Sequence, residues 1–211
     1  MCPNITSEDC LYLNIWSPLS ANETSPVPVM VYIHGGNFNH MFAAASVFNG
    51  ENLASKGNVV VVNLDYRIGA LGFLLTPATR RVPESSGNYG ILDQRFALKW
   101  VQENIKNFGG DPEKVTLFGE SAGAQSVVVH LMTEESSKLF SRAIVQSAPI
   151  SLPFKTEQEM LFLSDLISDK LGCRAGDMDC LLSKTADEVA SAQFEIRNDP
   201  TSIKILEFFE P

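Results

Sequence analysis

Val115-Thr116-Leu117-Phe118-Gly119-Glu120-Ser121-Ala122-Gly123 decides the fold class of this 211-residue chain. Val115 to Phe118 reads as an apolar strand and Ala122 to about Met132 as a helix, so the residues between them must make the turn. G-x-S-x-G in that setting is a nucleophile elbow. A sharp strand-to-helix turn holds Ser121 in a strained conformation, and only tiny residues two before and two after let neighbouring backbone approach. The hydroxyl is projected outward, and the helix amino terminus beneath it favours developing negative charge. The competing reading is a serine that merely caps the helix between two turn glycines.

On the amino-terminal side, Leu11 to Trp16 alternates large apolar with smaller or polar residues, the period of a half-buried strand, and Ser17-Pro18 stops it. A polar, proline-bearing loop from Ser20 to Pro28 leads into the apolar run Val29 to Ile33, which ends at His34-Gly35-Gly36. Val47 to Lys56 reads as a short helix. Val59 to Leu64 is again a buried strand, and two buried strands joined by a crossover predict a parallel pair. Ile91, Leu98, Val101 and Ile105 form one stripe of an amphipathic helix over 91–108, ended by Gly109-Gly110-Asp111-Pro112. Beyond the elbow, Ala143 to Gln146 reads as a strand, then Glu157 to Leu171 and Thr185 to Gln193 as helices. Strands alternating with helices specify a doubly wound α/β sheet, whose ligand sites gather beyond the carboxyl ends of the strands.

His34-Gly35-Gly36-Asn37-Phe38 follows such a strand, where an acyl-transfer enzyme of this architecture keeps its oxyanion-hole loop. The backbone N–H groups of Gly36 and Asn37, with that of Ala122, are the candidate donors. Taken alone, His-Gly-Gly is an ordinary turn, and the elbow downstream is what raises it above that.

A net charge of −9 argues against general nucleic-acid binding, which needs clustered cations. The apolar runs fall well short of the roughly 18 residues of a membrane span. No metal-ligand cluster, phosphate-cradling loop or redox Cys-x-x-Cys motif is present, so no cofactor and no metal is expected. The four cysteines allow three connectivities, of which the local pairs Cys2–Cys10 and Cys173–Cys180 are the economical choice. Two Asn-x-Thr sequons, at Asn4 and Asn22, suit a secreted or endoplasmic-reticulum glycoprotein, although the residues before them form no signal peptide.

Several segments together resemble the type B carboxylesterase family, the cholinesterase-like α/β hydrolases. Ser7-Glu8-Asp9-Cys10-Leu11-Tyr12-Leu13-Asn14-Ile15-Trp16 is similar to the family's amino-terminal signature, and Phe118 to Ala124 to its active-site signature. Asp65-Tyr66-Arg67-Ile68-Gly69, Gly87 to Gln94 and Asn107 to Pro112 also agree, in order. The resemblance implies an α/β-hydrolase fold, with a mostly parallel sheet and helices on both faces. It implies Ser121 as nucleophile, an acyl-enzyme intermediate and a small-molecule ester substrate. Gly36, Asn37 and Ala122 take oxyanion-hole positions, and Cys173–Cys180 matches a family disulfide loop. Phe154 falls near an acyl-pocket aromatic, and Glu120 tunes the electrostatics of the substrate site. Asn37 departs from the family's usual third glycine, and Cys2–Cys10 closes a shorter loop than the family's and carries no choline-binding tryptophan.

Ser121 needs a base, and the sequence holds three histidines, His34, His40 and His130. His130 lies about 13 Å along the predicted helix from Ser121 at 1.5 Å per residue, and is expected at the helix surface or core edge. His34 is expected to brace the glycine loop, and His40 is the one alternative base. By resemblance the triad acid and histidine lie beyond residue 211 and the first sheet strands before residue 1. Residues 1–211 are thus expected to be one partial domain with no separate second domain, inactive alone. The rival reading is a noncatalytic, neuroligin-like binding or adhesion module on the same fold.

Overall fold

In the computed structural model, which describes residues 7–81, 87–151 and 154–198, the first strand, β1 (Leu13–Trp16), is half-buried at every position. β2 (Val27–Ile33) buries Val27, Val29, Val31 and Ile33 and leaves the residues between them more open. After α1 (Glu51–Gly57) comes β3 (Val60–Leu64), buried at all five positions. A strand closed on both faces favours apolar residues, which explains its run of valines, and its one polar residue, Asn63, is hydrogen-bonded: Nδ2 donates to the Ala43 carbonyl and Oδ1 accepts from Asn14 Nδ2. The chain continues through α2 (Gly69–Phe73), α3 (Tyr89–Asn104), β4 (Gly110–Glu120), α4 (Ala122–Met132), α5 (Glu134–Ser137) and β5 (Arg142–Gln146). It closes with α6 (Glu157–Lys170), α7 (Met178–Leu182) and α8 (Ala186–Asn198).

The chain divides into two compact units. The first comprises 1–36, 41–66 and 91–151 and holds a five-stranded sheet in the order β1-β3-β2-β4-β5. β2 runs parallel to β3 and β4, and β4 to β5, whereas β1 is antiparallel to β3. The parallel pairing of β2 and β3 is the one their crossover predicts. Leu98, Val101 and Ile105 are fully buried, as the helical stripe requires.

The second unit comprises 37–40, 67–90 and 152–211 and is helical. A reciprocal capping box starts α6: Thr156 accepts from the Glu159 backbone while the Glu159 carboxylate accepts from the Thr156 N–H. Thr185 and Glu188 repeat it at α8. Met160, Leu163 and Ile167 on α6 and Ala192 and Ile196 on α8 are buried, and the Cys173–Cys180 disulfide bridges the loop before α7 and α7 itself. Cys2 lies outside the described residues, and the Cys2–Cys10 pairing with it.

Several boundaries differ from the sequence reading. The helix expected over 47–56 is a single 3-10 turn, Ser46–Phe48, followed by α1. It breaks at Gly50, where a Cβ would stand 2.6 Å from the Trp16 ring and 2.7 Å from Val61. α3 stops at Asn104 and gives way to a 3-10 turn, Ile105–Phe108, capped by Gly109 at φ 76°. β4 begins at Gly110 because Gly110 already pairs with Val27. α2, α5 and α7 have no counterpart in the sequence pattern, being too short to carry a helical period. α8 runs on past Gln193. Among the described residues no helix is long and apolar enough to cross a membrane, and no cluster of His, Cys, Asp or Glu could hold a metal ion.

Candidate active site

β4 delivers the elbow at its carboxyl end. Ser121 takes φ 56° and ψ −120°, a backbone conformation that non-glycine residues avoid unless the surroundings enforce it. The enforcement is visible in the first unit. The Ser121 N–H donates to the Gln146 carbonyl at 3.0 Å, and the Ser121 carbonyl accepts from the Gln125 N–H at 3.0 Å. A Cβ on Gly119 would stand 2.5 Å from the Gly123 carbonyl, and one on Gly123 would overlap the Ile33 carbonyl. The glycines at these two positions are therefore steric requirements of the turn.

Ser121 occupies the cap position of α4, yet its side chain makes no capping hydrogen bond. The simple helix-cap alternative is thus not what the hydroxyl does. It is free above the first turn of α4, whose N–H groups have no intrahelical partners and carry the positive end of the helix dipole. A half-buried hydroxyl in that position suits attack on an acyl carbon, with backbone donors nearby for the resulting oxyanion.

The glycine loop after β2 lies against the elbow. A Cβ on Gly35 would stand 2.6 Å from the Glu120 carbonyl and 3.2 Å from the Ser121 Cβ, so only glycine permits this approach. Gly36 has φ 107°. His34 is buried; its Nδ1 lies 2.8 Å from the Gly35 carbonyl, its own carbonyl accepts from the Tyr66 hydroxyl at 2.8 Å, and its ring stacks on Tyr66. Burial drives the Tyr66 pKa above the range in which the phenol ionises, so this donor is permanent. Glu120 is exposed, and its charge adds to desolvation in raising the Tyr32 pKa.

In the second unit, Asn37 and Phe38 both adopt the left-handed region, at φ 55° and 53°. Asparagine tolerates that region better than most residues. The Asn37 carbonyl accepts from Asn39 Nδ2 at 2.7 Å, and Asn39 Oδ1 accepts from Gln193 Nε2 at 2.8 Å. Gln193 Oε1 accepts in turn from the Ala70 N–H, so α8 holds this loop and α2 together. Nothing in the local sequence signals that tie, because 154 positions separate Asn39 from Gln193. Phe154 is exposed, and so is His40.

His130 corrects an expectation. It is fully buried, with Nδ1 at 3.0 Å from Ser136 Oγ and Nε2 at 3.0 Å from Gln94 Oε1. Both ring nitrogens are engaged, which removes it as a base for Ser121. Desolvation, reinforced by the charge of Arg95, lowers its pKa to about 4.

A groove of about 560 Å³ in the first unit, lined by 15–20 and by Glu51, Ala54, Ser55 and Asn58, lies away from this chemistry. Trp16 pairs with Val61 near the amino end of β3, whereas Ser121 follows the carboxyl end of β4. The groove is therefore at the opposite end of the strands from Ser121, beside the edge strand β1.

A profile described as the carboxylesterase family matches residues 2–208. The chain is 45% identical over 191 residues to the "Crystal protein" of Dictyostelium discoideum, covering 90% of this chain and 34% of that protein. It is 44% identical over 196 residues to an acetylcholinesterase of Bungarus fasciatus, covering 90% of this chain and 32% of the enzyme. It is 44% identical over 178 residues to the bile salt-activated lipase of Bos taurus, covering 81% and 29%. The chain thus spans about a third of the length of these curated relatives. Among solved structures, a Geobacillus stearothermophilus carboxylesterase superposes with a TM-score of 0.88 at 42% identity, covering all of this chain and 43% of that one. A structure titled PNB esterase gives 0.87 at 36% identity, covering 100% and 45%. The elbow, the sheet order and these likenesses agree: the chain has the α/β-hydrolase fold and belongs to the carboxylesterase family.

Proposed function

We propose that the protein is a carboxylic ester hydrolase in which Ser121 attacks the ester carbonyl and carries the acyl group as a covalent intermediate. The observation that supports this most directly is the strained Ser121 backbone between Gly119 and Gly123, with a hydroxyl that does not cap its helix. Backbone strain of this kind persists where a reactive group must be held in position. In this reading the N–H groups of Gly36 and Ala122 stabilise the oxyanion, and Asn37, next after Gly36, supplies the remaining donor of the family pattern. Phe154 borders the acyl group and Glu120 biases the electrostatics of the substrate site.

The base in this reading is a histidine outside residues 1–211. His34 and His130 are buried and bonded to other groups, and His40 is exposed. The test is turnover of p-nitrophenyl acetate and labelling by a fluorophosphonate, with Ser121→Ala as control, in the full-length protein and in residues 1–211. Turnover and labelling in the full-length protein that vanish in Ser121→Ala support the reading. Ser121-dependent turnover by residues 1–211 would return the base to this chain, with His40 as its candidate. Silence of the full-length protein would favour a binding module on the same fold.

The same reading assigns the protein to the secretory pathway. Disulfides persist in oxidising compartments, and Cys173–Cys180 is formed. Asn22 of the Asn22-Glu23-Thr24 sequon is exposed, and its Oδ1 accepts from the Thr24 hydroxyl at 2.7 Å.

A further inference from the structure

α4 carries a polar chain on its buried side that the proposed reaction does not use directly. The Ser126 hydroxyl donates to the Ala122 carbonyl at 3.0 Å, and Ser126 Oγ accepts from Gln94 Nε2 at 3.1 Å. Gln94 Oε1 lies 3.0 Å from His130 Nε2, and His130 Nδ1 lies 3.0 Å from Ser136 Oγ. All four side chains belong to residues with at most 1% exposure. One proton assignment satisfies them all: Ser136 donates to Nδ1, Nε2–H donates to Gln94, Gln94 donates to Ser126, and Ser126 donates to the Ala122 carbonyl. Every bond then points the same way, and such chains polarise cooperatively in a low-dielectric interior.

The chain ends on the peptide that joins Ala122 to Gly123. Donation to that carbonyl polarises the Gly123 N–H and fixes the peptide plane beside the Ser121 turn. We propose that Ser126, Gln94 and His130 are positioning residues, which orient the first turn of α4 so that its N–H groups meet the oxyanion formed at Ser121. None of them touches substrate. The inference rests on the hydrolase reading of Ser121. It goes beyond that reading by giving a role to a buried histidine that serves as neither base nor surface residue.

The experiment compares Ser126→Ala, Gln94→Met and Ser126→Thr with wild type in the full-length protein. The first two break the chain, whereas threonine keeps its hydroxyl. Active-site titration with a fluorophosphonate normalises for folded protein. Ser126→Ala and Gln94→Met are expected to lower kcat about tenfold, the scale on which small displacements of a reacting group register, with KM within about twofold. Affinity for a trifluoromethyl ketone, which forms a tetrahedral adduct, should fall in parallel with kcat, and Ser126→Thr should restore both. A purely structural role would lower the melting temperature and leave kcat per titrated site unchanged, and that result would overturn the proposal. If wild type neither turns over nor labels, the hydrolase reading has failed. Hydrogen exchange across residues 122–126 then decides positioning alone: faster exchange in Ser126→Ala supports an ordering role for the chain, and unchanged exchange overturns it.

Discussion

Gly123 lies directly beneath the Ile33 carbonyl, so close that a side chain of even one carbon would overlap it. The contact welds the start of α4 to the end of β2, which are the two elements that carry Ser121 and the glycine loop. Gly123→Ala must displace one of them. The expected cost is about 2 kcal/mol of stability, in the range of other overpacked sites, with turnover reduced at least a hundredfold. Denaturant unfolding and active-site titration together check it; an alanine variant with wild-type turnover would show that the contact does not set the site.

Ser121 pays for its position in backbone strain, and glycine would relieve it. At φ 56° and ψ −120°, Ser121→Gly is expected to raise stability by about 1 kcal/mol while removing fluorophosphonate labelling entirely. A shift of the urea midpoint to higher concentration at unchanged slope is the signature. A destabilised glycine variant would mean that the serine conformation carries no stored strain.

His130 makes stability depend on pH. Its ordinary pKa of 6.5 falls to about 4 in the fold, first through burial and then through Arg95. The folded-state value is the lower one, so the unfolded chain binds the proton more readily between the two. The neutral ring's contribution is whole above about pH 6.5 and is lost as the pH falls toward 4, roughly 3 kcal/mol in all. Replacing it by glutamine should flatten the stability profile across that window relative to wild type. Parallel profiles for the two proteins would contradict the assignment of a neutral buried ring.

The Cys173–Cys180 bridge closes a short loop whose ends are seven positions apart in sequence. A paired Cys173→Ala, Cys180→Ala variant is expected to lose about 2 kcal/mol in thermal or denaturant unfolding. The loss should fall on the second unit, read by hydrogen exchange across α6 and α7. Uniform loosening of both units would instead indicate coupled unfolding.

Asn22 supplies a test of compartment. If the protein traverses the secretory pathway, enzymatic deglycosylation of material from its own source should convert Asn22 to aspartate within the peptide that spans the sequon. An unmodified Asn22 peptide in every preparation would remove that support for secretion.

Most of the sheet was legible in the sequence because its strands announce themselves locally. Val60–Leu64 is apolar but for the hydrogen-bonded Asn63 because both faces are covered, and Gly119-Glu120-Ser121-Ala122-Gly123 names its own turn because nothing larger than glycine fits at 119 and 123. The helices with a long apolar stripe or a capping box were equally readable. What the sequence could not decide are the relations that depend on which distant residues meet. The short helices α2, α5 and α7 lack a period, and His130 on a helix of known phase gave no sign that Gln94 and Ser136 would close over it. Gln193, reaching Asn39 across 154 positions, is silent for the same reason. Local sterics and periodicity are written residue by residue. Burial and hydrogen-bond partnership are properties of the packed chain, and they arise only when segments remote in sequence exclude water together.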